Sequence, residues 1–152
     1  MSDGKTAQTA SGSAVPRLTS VALVQLSGER RAAGLAPATK YNLDLAYYEE
    51  GSTYLYRLTG RGDLTDAEGA DYGHVEASVV ATFESCGWST EQIESFGQST
   101  AMRVAYPYVR EALATTASRL GFAGVMLPPL EVAAELAQGD VSPDPDVPAD
   151  PS

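Results

Sequence analysis

Residues 101–122, AMRVAYPYVREALATTASRLGF, decide the fold. Met102, Ala105, Val109, Ala112 or Leu113, Thr116 and Leu120 recur at helical spacing, and Gly121 stands where a C′ stop belongs. The spacing predicts a long helix over 99–120. Pro107 lies inside it, between Tyr106 and Tyr108. A proline there removes one backbone donor and crowds the carbonyl four residues back, at a cost of about 3 kcal/mol. The helix is therefore expected to kink, and packing has to set its path.

Working outward, STEQIESFG (89–97) carries a capping-box pattern, Ser89 with Gln92 three positions on, which opens a short helix. Beyond Gly121, VMLPPLEVAAELAQG (125–139) predicts a short extended piece. A second helix follows, opened by Pro128 and Pro129 and closed by Gly139. Before Cys86 the period is that of strands. LTSVALVQLSGE (18–29) alternates loosely. ATKYNLDLAYYEE (38–50) alternates better, with Tyr41, Leu43, Leu45 and Tyr47 on one face and Asn42, Asp44 and Ala46 on the other. STYLYRLTGRG (52–62) is a third strand, joined to the second by a link containing Gly51, as in an antiparallel hairpin. GRGDLTDAEGADYG (60–73) reads as a polar connection, and HVEASVVATFES (74–85) as a fourth strand. Strands followed by helices predict an α+β fold: a four-stranded antiparallel sheet with a long kinked helix and a second helix.

Residues 1–16 are small and polar and read as a disordered arm, 17–138 as the folded domain, and 139–152 as a disordered acidic tail with four aspartates and four prolines. The 152 residues suit one domain with its own core. The formal net charge of −10 argues against nucleic acid or an anionic membrane as an unaided partner. No apolar run reaches the roughly 18 residues of a membrane span, and residues 1–16 hold no apolar signal core. A single cysteine, Cys86, excludes an intramolecular disulfide and fits a reducing compartment, so the expected location is the cytoplasm.

Catalytic constellations are missing from the sequence. The one histidine, His74, opens a predicted strand, and no serine sits in a G-x-S-x-G elbow. His74 and Cys86 alone are too few ligands for a metal. Cys86 beside Trp88 has no indicated base, and no phosphate-cradling glycine loop occurs. The RGD at 61–63 reads as a chance tripeptide in a loop, and Arg30–Arg31 is too short for a nucleic-acid patch. The expectation is a protein without enzymatic activity, metal or cofactor. Eight tyrosines remain, a residue suited both to strands and to half-wet interfaces.

YPYVRE (106–111) resembles the (F/Y)-P-Y-x-R-E core of the SecB family of protein-export chaperones. Arg119, Gly121–Phe122, VMLPPL and EVAAEL follow in the family's order. Pro37, Lys40, Leu43 and Asp44 in PATKYNLDL resemble its lead into the second strand. The similarity covers residues 18–138. It implies a homotetramer, a dimer of dimers with long helices packed between them, in which Tyr106, Pro107, Tyr108, Arg110 and Glu111 belong to the oligomer interface. Arg110 and Glu111 would fix the kink or the interface by a charge pair. It implies a nucleotide-independent holdase that binds unfolded polypeptides in apolar grooves for protein export, with Leu127, Leu130, Val132, Leu136, Tyr41 and Tyr47 as client-binding candidates. Glu76 matches one acid of the surface that docks the motor ATPase SecA, whereas Val21 and Gln25 stand where first-strand acids are expected. The loop SGERRAAGLAP lacks the family's client-contacting aromatic residues. STEQIESFGQSTAMRVAYPYVRE is similar to the branch that serves as dedicated antitoxin chaperones in toxin–antitoxin systems, so an antitoxin is the alternative client. A non-chaperone adaptor on the same fold is the other alternative.

Overall fold

The computed structural model describes residues 15–32, 38–122, 124–130 and 142–143. Four long strands, β1 (Leu18–Arg30), β2 (Ala38–Glu50), β3 (Thr53–Thr65) and β4 (Asp71–Glu84), form an antiparallel sheet. A helical run then crosses one face: α1 (Thr90–Phe96), a π-turn (Gly97–Ala101) and α2 (Met102–Arg119). The spatial order is β1-β4-β3-β2-β5, where β5 (Ser142–Pro143) is a two-residue strand parallel to β2. This is the expected α+β architecture. β5 falls within the segment read as a tail, and the expected second helix lies outside the described residues apart from Leu130.

The sheet is built by period-two burial. Tyr54, Tyr56, Leu58, Gly60, Gly62 and Leu64 point under the helix, and the residues between them are half-buried on the open face. Val75, Ala77, Val79, Ala81 and Phe83 of β4 and Leu43, Leu45 and Tyr47 of β2 join them, against Met102, Ala105, Tyr106, Val109, Leu113 and Ala117 from α2. A Cβ on Gly60 would lie 2.6 Å from Val109 Cγ1, and one on Gly28 2.8 Å from Leu120 Cδ1. These two glycines let α2 lie close on the sheet.

Three local expectations change. First, β3 runs on to Thr65 and β4 starts at Asp71, so RGD lies within a strand and not in a loop. Gly60 and Gly62 face the helix and Arg61 and Asp63 face outward, an alternation that composition alone disguises as a polar link. Second, the two helices expected over 89–97 and 99–120 are one run. Ser89 does cap α1 as a capping box with Gln92, and Gly121 ends α2 at φ 90°. Between them the Met102 N–H reaches back to the Gly97 carbonyl, and the Ser99 hydroxyl donates to the Ser95 carbonyl at 2.9 Å. Third, the interruption of α-helical geometry falls at this π-turn, ahead of Pro107, which sits within α2. Pro107 lies on the exposed face with Arg103, so the Arg103 carbonyl that lacks its donor is open to water.

Arg30 closes the far end of α2. Its guanidinium donates to the Leu120 carbonyl at 2.9 Å and lies 5.2 Å over the Phe122 ring. A cation at a helix C-terminus is favoured by the helix dipole.

Candidate functional site

Past Phe122 the chain returns alongside α2 as an extended segment, residues 125–129. Three side chains from two elements hold it. The Tyr41 hydroxyl on β2 donates to the Met126 carbonyl at 2.7 Å and accepts from the Met126 N–H at 3.0 Å. From α2, the Tyr106 hydroxyl donates to the Pro128 carbonyl and Arg110 Nε donates to the Leu127 carbonyl at 2.9 Å. Burial pushes the Tyr106 phenol above its ordinary value, with the Arg110 guanidinium opposing, so it stays a donor at neutral pH.

The pinned segment and α2 enclose a groove of about 360 Å³ lined by Tyr106, Pro107, Arg110, Met126, Pro129 and Leu130. On the other flank of α2 a second groove, about 250 Å³, lies against β1 and is lined by Leu23, Leu26, Tyr108, Ala112, Thr116 and Arg119. Glu111 lines both. Both walls are mostly apolar, and the side chains beside them are unusually bare: Tyr108 is 53% exposed, Met126 51% and Leu23 51%. Exposed apolar surface gathered in concave places marks a binding surface more than scattered single residues do.

The predicted interface residues are divided by this geometry. Tyr106 is buried and Arg110 half-buried, both serving the pinned segment, while Pro107, Tyr108 and Glu111 face outward. Arg110 gives its Nε–H to the Leu127 carbonyl, and among the described residues no ion pair joins it to Glu111, since neighbours one apart on a helix diverge. Of the client-binding candidates, Leu130 lines the first groove. Leu127 is 1% exposed and belongs to the core, so it offers no surface. Tyr41 is half-buried with its hydroxyl occupied, and Tyr47 packs 6.4 Å from Tyr56 in the core. Val132 and Leu136 lie outside the described residues. Met126, Pro129, Leu23 and Leu26 were not anticipated. The signal for the leucines was the loose alternation of β1, an apolar pattern broader than one buried face requires.

Glu76 stands on the open face of the sheet, where its carboxylate is engaged. Arg61 Nη1 lies 3.0 Å away and also holds Asp63 through Nε at 3.0 Å, while Gln25 Nε2 reaches Glu76 at 3.4 Å. The chain thus neutralises this acid itself. His74 is on the same face, in register with Glu29 and Asp63, and its buried Nδ1 has no hydrogen-bond partner. Burial pushes the Cys86 thiol up, the direction opposite to an activated nucleophile. Among the described residues, no three His, Cys, Asp or Glu side chains converge as a metal site would require.

This arrangement, a four-stranded antiparallel sheet under one long helix, has a counterpart among solved structures. The solved structure of the SecB-like chaperone Rv1957 of Mycobacterium tuberculosis, in complex with a ChAD peptide from the HigA1 antitoxin, aligns with a TM-score of 0.63. The match covers 74% of this chain and 88% of that one, at 16% identity, and shows a shared fold. No family model and no curated protein matches the sequence.

Proposed function

We propose that the protein is a nucleotide-independent chaperone that holds extended, non-native polypeptide segments on the first groove, between α2 and the pinned segment. The observation that carries this is the open, mostly apolar first groove, walled by Tyr106, Pro107, Met126, Pro129 and Leu130. Mostly apolar walls with few polar groups recognise apolar side chains in sequence rather than one shaped ligand. The favoured client is an antitoxin segment, because the structural neighbour is a chaperone bound to an antitoxin peptide. Service in general protein export is disfavoured, because the acid that would meet SecA, Glu76, is already neutralised by Arg61.

The working form is a homotetramer in the cytoplasm. Support comes from the long bare edge strand β1, with Leu23, Val24 and Leu26 exposed, and from exposed Tyr108 on α2. Among the described residues no helix is long and apolar enough to cross a membrane.

The test is light scattering from a chemically denatured client diluted into buffer without nucleotide, with the protein at tetramer stoichiometry. Suppressed aggregation supports the holdase. Undiminished aggregation, together with failure to bind any antitoxin peptide, would sink it and leave an adaptor for a folded partner.

A further inference from the structure

The two edges of the sheet differ in occupancy. Among the described residues β1 ends the sheet on one side with no strand beyond it, whereas β2 carries a short visitor from its own chain. Ser142 and Pro143 pair in parallel with Ala46 and Tyr47, and among the described residues nothing else pairs on that side. An edge strand turns the N–H and C=O of every second residue outward, a template for another strand. β2 has 13 residues, and β5 matches two of them.

The sequence disfavours a longer pairing of this kind. Were its register continued towards the N-terminus, Asp140 would stand opposite Asp44. Continued the other way, Asp146 would stand opposite Glu50. Like charges directly opposite destabilise a strand pair. Pro143 and Pro145 also lack the N–H that a ladder needs. The chain's own segment is a minimal occupant of an edge that a better-matched strand could fill at greater length.

We propose that the outer edge of β2 is a strand-addition site for an extended segment of a bound polypeptide, with Ser142–Pro143 as its displaceable resident. This rests on the polypeptide-binding function proposed above and specifies its main-chain mode. The partner segment supplies N–H donors at alternate positions, carries no proline there, and places neutral or basic residues opposite Asp44 and Glu50. The edge adjoins the first groove at Tyr41, whose hydroxyl is bonded both ways to Met126. A polypeptide leaving the groove over Met126 therefore meets β2 near its start. Running parallel to β2, it reaches Ala46 and Tyr47 and displaces the resident.

The experiment uses the full chain and a labelled, reduced and carboxymethylated α-lactalbumin as a permanently unfolded probe. Binding is read by fluorescence anisotropy, and residue-resolved amide exchange is read with and without saturating probe. Saturation is expected to speed exchange at Ser142 by about tenfold while amides on either side of Ala46 gain protection. Ser142→Pro, which weakens the resident, tightens probe binding by the inverse of the freed fraction, about threefold. Pro143→Val with Asp146→Asn, which strengthens the resident, weakens it. A probe that binds all three chains equally, with exchange at Ser142 and along β2 unaltered, overturns strand addition and leaves the chaperone function standing. No anisotropy change with any chain overturns both.

Discussion

β1 and β3 are both 13-residue strands of one sheet, yet they live in different solvents. β3 lies between β2 and β4 and buries every second residue under the helix. β1 lies at an edge, and along it only Val21 is even half-buried. Hydrophobic content does not separate them, since β1 carries Leu18, Val21, Leu23, Val24 and Leu26. Position does. The neighbours of β3 complete its core, while β1 keeps apolar side chains that this chain alone leaves in water. β3 holds the fold together, and β1 carries the exposed surface assigned above to the proposed tetramer.

The comparison breaks most sharply at Leu58, fully buried at the middle of β3. Leu58→Ala should lower unfolding stability by about 2–5 kcal/mol in a denaturant titration. Gly60→Ala, which places a carbon 2.6 Å from Val109 Cγ1, should cost about 1–3 kcal/mol by the same measurement, because overpacking displaces α2. Tyr108→Asp tests the reserved surface. It should leave stability within about 0.5 kcal/mol, since the ring is exposed, while splitting the proposed tetramer through a charge set in an apolar contact. An unchanged oligomer in native mass spectrometry would contradict that assignment. Leu23→Ala on β1 should change monomer stability by less than about 0.5 kcal/mol, the counterpart to Leu58→Ala that measures the contrast directly.

The smallest effect is electrostatic. Arg17 holds the Glu84 carboxyl below its ordinary value through a 2.6 Å hydrogen bond and its charge. A depressed folded value stabilises above the unfolded value, near pH 4.5, and the contribution disappears as pH falls through the folded one. Arg17→Ala should return the Glu84 titration, followed by NMR, to the ordinary carboxylate range. Both side chains stand in solvent, so thermal stability should hardly move.

Much of the fold was legible because its local signals agree. β2 falls on 38–50 as its alternation predicts, and Ser89, Gln92 and Gly121 set helix boundaries through their own hydrogen bonds and backbone angles. The central part of β3 was disguised. Gly60 and Gly62 look like loop residues until a helix lies on them, and that helix is distant in sequence. The π-turn was hidden for the same reason: Gly97 and Ala101 are buried, so tertiary packing and not propensity sets the winding there. The site was half legible. YPYVRE marked the right helix, but inward and outward residues could not be told apart without the segment that Tyr106 and Arg110 bind. Leu127 was expected at the groove from the resemblance alone; alternation along 125–129 turns it inward while Met126 faces out.

For the polypeptide binding proposed above, the pinned segment has a kinetic consequence. Pro128 and Pro129 have fixed φ angles, and three side chains hold the carbonyls and the one N–H just ahead of them. The wall of the first groove has therefore already lost its conformational freedom before any polypeptide arrives. Ordering on association falls on the visitor alone. Differences among clients should then be written in how long they stay, with arrival rates nearly common to them all.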